Sequence, residues 1–189
     1  MTTIAVVRKG DTACIVADTL TKHGNRYATA EYVFPHDKIL KVDDTYFALV
    51  GHVVTHQVLK SYWSNPKRRR SFRDVDDIFE TLRALHAVLK EEYFLNPVEN
   101  EKDAYESMQF DALLCNRHGI FSASFDRLAQ EYYRFHALGT GEEFAMGAMF
   151  ATYDRLETAE EIARAGIEAA ATFDDSTGLP MTIHKVKLD

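Results

Sequence analysis

Thr2 stands directly after Met1. A small residue in second place makes Met1 a target for methionine aminopeptidase, so the mature chain is expected to begin at Thr2-Thr3. An N-terminal threonine carries a hydroxyl nucleophile and an α-amine base in one residue. The ordinary pKa of such an amine is ~7.7–8.0. A neighbouring cation lowers it and keeps the amine neutral at pH 7, as a general base requires.

The other residues of chemical type point away from metals and cofactors. His52 and His56 share one helical face, but a zinc protease needs glutamate beside the first histidine, where Val53 stands. Gly139-Thr140-Gly141-Glu142-Glu143 lacks the third glycine and the lysine of a phosphate loop, and its two carboxylates would repel phosphate. No metal and no cofactor is therefore expected. Cys14 and Cys115 lie inside apolar runs with no adjacent base, which reads as buried, reduced thiols of a cytoplasmic protein. Tyr132, Tyr133 and Phe135 read as sheet core.

These residues need a scaffold, and hydrophobic periodicity predicts one. Apolar runs at Ile4–Val7 and Thr12–Asp18 flank Gly10-Asp11, a hairpin signal. Strands are expected over Tyr27–Phe34, Lys38–Val42 and Tyr46–Val50. After Gly51 the period becomes helical, through Val54, Val58, Leu59, Tyr62 and Trp63 and again from Asp74 to Tyr93. A polar loop over 96–107 leads to a second hairpin, Phe110–Cys115 and Ile120–Phe125, and to a strand over Leu128–Leu138. Two helices follow, Glu142–Tyr153 and one opened by the capping box Thr158-Ala159-Glu160-Glu161, before a last strand over Leu179–Leu188. Two helix pairs around two strand groups predict a four-layer αββα sandwich of the α+β class. Its sheets would be buried on both faces, which accounts for runs such as Ile4–Val7 that do not alternate.

The chain has 189 residues, and no composition break divides it, so residues 1–189 are expected to form one domain. A formal charge of −7 disfavours nucleic acid or an anionic membrane as partner, and the basic run Lys67–Arg70 reads as a solvated loop or subunit contact. No apolar stretch approaches the ~18 residues of a membrane helix, and no signal peptide is visible.

The run from Thr2 to Gly10, followed by Ile15-Val16-Ala17-Asp18, resembles the start of mature proteasome β-subunits and of HslV-type peptidases. Asp18 lies sixteen residues after Thr2, the spacing of the family's catalytic aspartate. Asp37-Lys38-Ile39-Leu40 before Phe47-Ala48-Leu49-Val50-Gly51 resembles the family's lysine segment after an insertion, with Lys41 as competing lysine. Ala137-Leu138-Gly139-Thr140-Gly141 resembles its Gly-Ser-Gly, and Asp174-Asp175-Ser176-Thr177-Gly178 its Asp-x-x-Ser-Gly turn. The resemblance runs the length of the chain. Short length, an absent propeptide and Asp-Ser-Thr-Gly-Leu-Pro place it nearest the betaproteobacterial proteasome homologues, with Anbu-type proteins next.

The resemblance implies an N-terminal nucleophile hydrolase fold and assigns roles. Thr2 would be nucleophile and base, Lys38 would lower the pKa of the amine or hydroxyl, and Asp18 would hold Lys38. Thr140 and Asp175 would orient the amine, with Thr177 in the same turn. The Gly51 N–H would serve the oxyanion, and Leu49 and Thr21 would contact a polypeptide substrate lying along the strand that ends at Gly51. An apolar Leu49 predicts cleavage after apolar residues. In three places the chain departs from the family. Thr140 adds a methyl where the family has serine, His52 replaces a second glycine, and the Asp-x-x-Ser spacing is one residue short unless Asp174 is the equivalent.

The implied partners are other copies of this chain in a double ring of six or seven subunits per ring, two seven-membered rings (a tetradecamer) being favoured, and an ATP-dependent AAA-type unfoldase. Two further readings stand beside the threonine peptidase. One is a catalytically silent ring subunit; the other is an amide hydrolase of small substrates on the same fold.

Overall fold

The computed structural model describes residues 2–98 and 102–189; Met1 and the part of the polar loop at 99–101 lie outside the described residues. Strand β1 (Thr3–Lys9) pairs antiparallel with β2 (Thr12–Asp18), so the Gly10-Asp11 signal makes the expected hairpin. The short β3 (Thr21–His23) and β4 (Arg26–Ala28) form their own ribbon. Then come β5 (Ile39–Val42), β6 (Thr45–Gly51), α1 (Val54–Ser64) and α2 (Val75–Glu92). The second half holds β7 (Phe110–Asn116), β8 (Gly119–Ala123), β9 (Ala129–Tyr132), β10 (Phe135–Gly139), α3 (Glu142–Thr152), α4 (Ala159–Phe173) and β11 (Met181–Lys187).

Two sheets stack. One has the order β10-β1-β2-β11, the other β5-β6-β7-β8-β9. Their facing sides bury Ile4, Val6, Ile15 and Ala17 against Ile39, Ala48, Leu113 and Ile120. The intervening residues Ala5, Val7, Cys14 and Val16 point the other way, into α3 and α4. The outer face of the second sheet packs through Phe47, Leu49 and Leu114 on α1 and α2. The result is the αββα sandwich, and β1 is apolar throughout because both of its faces are covered.

Two strand expectations change. Of 27–34 only Tyr27 and Ala28 are strand, as the end of β4, which pairs within its ribbon rather than in either large sheet. The segment 128–138 breaks at Tyr133-Arg134, and its halves belong to different sheets, β9 beside β8 and β10 beside β1. The Arg134 carbonyl accepts from the Arg8 N–H at 2.7 Å, which marks the point where the chain crosses from the second sheet to the first.

The basic run is matched by acids in the folded chain. Arg68 binds both oxygens of Glu92, Arg69 pairs with Asp77 at 3.0 Å, and Arg70 with Asp43 at 3.3 Å. Asp77, in the first turn of α2, also accepts from Arg73 at 2.5 Å and Ser71 at 2.6 Å, and these bonds lower its pKa from 3.8 to about 2. The folded form thus holds fewer protons than the unfolded chain between those values. The stability contributed is full above pH 3.8 and disappears as the pH falls to about 2. Asp77→Asn is expected to cost about 1 kcal/mol at neutral pH after allowance for solvent screening. Urea melts should show the gap to the parent protein closing as the pH falls through that window.

Both cysteines are buried thiols. Burial pushes Cys14 up to about 12 and raises Cys115 further, so neither is a nucleophile at neutral pH.

Candidate active site

The start of β1, the end of β2, the end of β10 and the start of β11 meet at one end of the first sheet. The register pairs Thr3 with Gly139 and Asp18 with Met181. The start of β5 and the end of β6 reach the same cavity from the second sheet. The residues singled out in the sequence come together because these strand ends converge.

Asp18 has no solvent exposure. One carboxylate oxygen accepts from the Thr3 N–H at 3.0 Å and from Lys38 Nζ at 2.6 Å; the other accepts from the N–H groups of Leu20 at 3.0 Å and Gly178 at 3.1 Å. Three backbone donors and one ammonium fix the position of the carboxylate. The Lys38 side chain is 16% exposed. Its burial lowers the ammonium below the ordinary lysine value, while the charge and hydrogen bond of Asp18 act the other way. Lys41 is exposed and lies over the Tyr46 ring, apart from this pair.

Thr2 is buried beside the group, and its carbonyl accepts from the Thr140 N–H at 3.1 Å. Gly139 makes that approach possible. Its φ is +109°, and a Cβ built on it would lie 1.8 Å from the Thr2 carbonyl oxygen.

A second cluster of hydroxyls joins the glycine segment to the turn after α4. Asp174 caps α4, donating its N–H to Ala170, and its carboxylate accepts from Thr140 Oγ1 at 2.7 Å and Thr177 Oγ1 at 2.6 Å. Thr177 and Thr3 share a hydrogen bond at 2.5 Å, and Thr3 Oγ1 accepts from the Gly141 N–H at 3.0 Å. The expectation had Thr140 and Asp175 together, but the carboxylate that meets Thr140 belongs to Asp174. Asp175 is 84% exposed and pairs with Lys22 at 2.8 Å. That lysine, then Ser176, holds the Asp175 carboxyl below the usual range. With Asp174 in the role, the spacing to Thr177 is the family's Asp-x-x-Ser spacing without a deletion.

Thr2, Thr21, Lys38, Leu49 and Gly51 all line one cavity of about 310 Å³. Gly51 ends β6 with φ +149°, and a Cβ there would lie 2.7 Å from the Gln109 carbonyl oxygen. Sequence reasoning missed Thr3 and Lys22 and the place of His36 and His56 in the cavity lining; it leaves Asp174 open as the alternative to Asp175, on the spacing of the turn. Among the described residues no three His, Cys, Asp or Glu side chains gather as a metal site.

Comparison with solved structures decides the family. The Thiobacillus denitrificans protein BPH superposes with a TM-score of 0.92 at 38% identity, covering 99% of this chain and 98% of that one. The same protein in complex with epoxomicin gives 0.92 at 37% identity, over 99% of both chains. The chain belongs to the proteasome β/HslV-type N-terminal nucleophile hydrolases. Eukaryotic HslV from Trypanosoma brucei shares the fold, with a TM-score of 0.70 at 20% identity over 98% of this chain and 99% of that one. No protein-family model and no curated protein matches the sequence. In this proteasome-type chain, the first sheet supplies Asp18 and the Gly139 segment, and the second supplies Lys38, Leu49 and Gly51.

Proposed function

We propose that this protein is a threonine endopeptidase in which Thr2, made N-terminal by removal of Met1, is both nucleophile and base. The observation that carries the reading is the buried Asp18–Lys38 pair at 2.6 Å, in a cavity that Thr2 also lines. Lys38 places a positive charge beside the reacting residue and disfavours protonation of the amine. The Thr2 hydroxyl attacks the substrate carbonyl while its proton passes to the α-amine. The protonated amine then gives that proton to the leaving nitrogen as the carbon–nitrogen bond breaks. Water adds to the resulting ester, hydrolysing it and regenerating the hydroxyl. The Gly51 N–H is the proposed oxyanion donor, and Asp174, Thr140 and Thr177 hold the wall on the other side of Thr2.

We further propose that the active particle is a closed double ring of copies of this chain, of seven subunits each, in the cytoplasm. Compartmentalisation is what lets an unselective peptidase act on unfolded polypeptide alone, and an ATP-dependent unfoldase is the partner that would deliver it. The relative solved with epoxomicin supports the peptidase reading over a silent ring subunit. The test is the intact mass of the native particle together with its N-terminal sequence. The expected result is one large species whose chains begin at Thr2. A 21.5 kDa monomer at working concentration would remove the chamber, and chains that retain Met1 in an active particle would remove the mechanism.

A further inference from the structure

Thr3 follows the reacting threonine and has no exposed surface. The peptide unit that joins the two residues is held at both of its polar ends. Its C=O, on Thr2, accepts from the Thr140 N–H at 3.1 Å, and its N–H, on Thr3, donates to Asp18 at 3.0 Å. These bonds tie it to the Gly139 segment on one side and to the Asp18–Lys38 pair on the other. Once Met1 is removed, nothing lies beyond that peptide but Thr2 itself. A planar unit fixed at both ends leaves the residue attached to it only its own torsions.

The Thr3 side chain adds a third hold. A threonine hydroxyl has one proton to give, and a carboxylate only accepts. Thr177 Oγ1 gives its proton to Asp174 at 2.6 Å. It therefore accepts across the 2.5 Å bond to Thr3, and the Thr3 hydroxyl is the donor there. Thr3 Oγ1 in turn accepts from the Gly141 N–H at 3.0 Å. The order is set from end to end: Gly141 to Thr3, Thr3 to Thr177, Thr177 to Asp174. The carboxylate polarises the hydroxyl bound to it, and that hydroxyl the next. Thr3 and Thr177 are both buried, which strengthens each bond of the chain.

We propose that Thr3 is a positioning residue of the reaction. It joins Asp18, through its N–H, to Asp174, through its hydroxyl and Thr177, and so holds the amine and hydroxyl of Thr2 in their reacting place. With no exposed surface it meets no substrate, and it acts through Thr2 alone. The proposal rests on the peptidase reading and deepens it.

The experiment compares Thr3→Val, Thr3→Ser and Thr177→Val as assembled particles, all checked to begin at Thr2, with one fluorogenic peptide titrated across its KM. Valine keeps the shape of threonine without the hydroxyl; serine keeps the hydroxyl. In Thr3→Val, kcat is expected to fall about a hundredfold, the cost of misplacing a reacting group by roughly 1 Å. KM is expected to stay within about twofold, and Thr3→Ser to restore kcat to within about threefold of the parent. A residue that only stabilised the fold would lower the melting temperature and leave kcat per particle unchanged. Thr177→Val cuts the same chain one bond further on, so the double variant is expected to be no slower than Thr3→Val. Should Thr3→Val fail to assemble, Thr177→Val against Thr177→Ser gives the same reading. A kcat in Thr3→Val close to the parent's, a Thr3→Ser as slow as Thr3→Val, or losses that multiply in the double variant overturn the proposal and leave the peptidase standing. A parent particle that cleaves no peptide overturns the peptidase reading and the proposal with it.

Discussion

Thr2→Ala is expected to lower peptide turnover roughly ten-thousand-fold or more, because it removes the atom that forms the acyl bond. The alanine variant keeps its α-amine, so the loss isolates the hydroxyl. Stability should change little, by about 1 kcal/mol, since one hydroxyl and one methyl leave a partly supported chain end. A peptide α′,β′-epoxyketone reads the chemistry directly. The hydroxyl adds to the ketone, the amine opens the epoxide, and the epoxide oxygen becomes a hydroxyl, so inhibitor and protein add with no leaving group. This needs a hydroxyl and an amine on one residue, which a serine or cysteine inside a chain does not offer. The expected adduct is on the N-terminal peptide at the full inhibitor mass, and it is absent in Thr2→Ala. Undiminished turnover in Thr2→Ala would end the mechanism.

The parts of this site that were legible in the sequence are those fixed by local pattern. Asp18 is singled out by the family's spacing from Thr2, and the β1–β2 hairpin, which pairs Ile4 with Ala17, is the physical reason that this spacing returns the chain beside Thr3. Lys38 was separable from Lys41 because two apolar residues follow it and enter the core, whereas Lys41 sits at an outward position of β5. Asp174 and Asp175 are neighbours of one type, and the spacing of their turn leaves the choice between them open. The choice is made by α4, whose last turn directs Asp174 back to Thr140 and leaves Asp175 in solvent. The break at Tyr133-Arg134 was hidden for a different reason. No glycine or proline marks it, and the change of sheet is dictated by pairing with β1, more than a hundred residues earlier. The shared cavity of His36 and His56 is not legible in one dimension, since the two line it only through the packing of α1 beside the β5 segment.

Asp18→Asn is expected to abolish activity and to cost about 3–5 kcal/mol of stability, the range for leaving a buried ion without its partner. Asparagine keeps the shape but has one acceptor oxygen where the carboxylate had two. The three backbone N–H groups and Lys38 would compete for that oxygen, and the amide nitrogen would face a donor. Lys38, already lowered by burial, would lose the charge and hydrogen bond that raise it, so its pKa would fall further. The sign of the pH dependence follows. A folded chain that holds fewer protons on Lys38 than the unfolded chain gains stability as the pH rises towards 10.5. The gap between Asp18→Asn and the parent protein should therefore narrow with rising pH, down to the part due to the lost backbone bonds. Denaturant titrations across that range measure it. The double variant Asp18→Asn, Lys38→Met separates the two contributions. With the ammonium gone it should recover roughly half of the lost stability and lose the pH dependence of the gap, yet remain inactive. If instead the double variant is no more stable than Asp18→Asn, the unpaired charge is not the source of the cost. Full peptide turnover in either variant would mean that the Asp18–Lys38 pair plays no part in the chemistry.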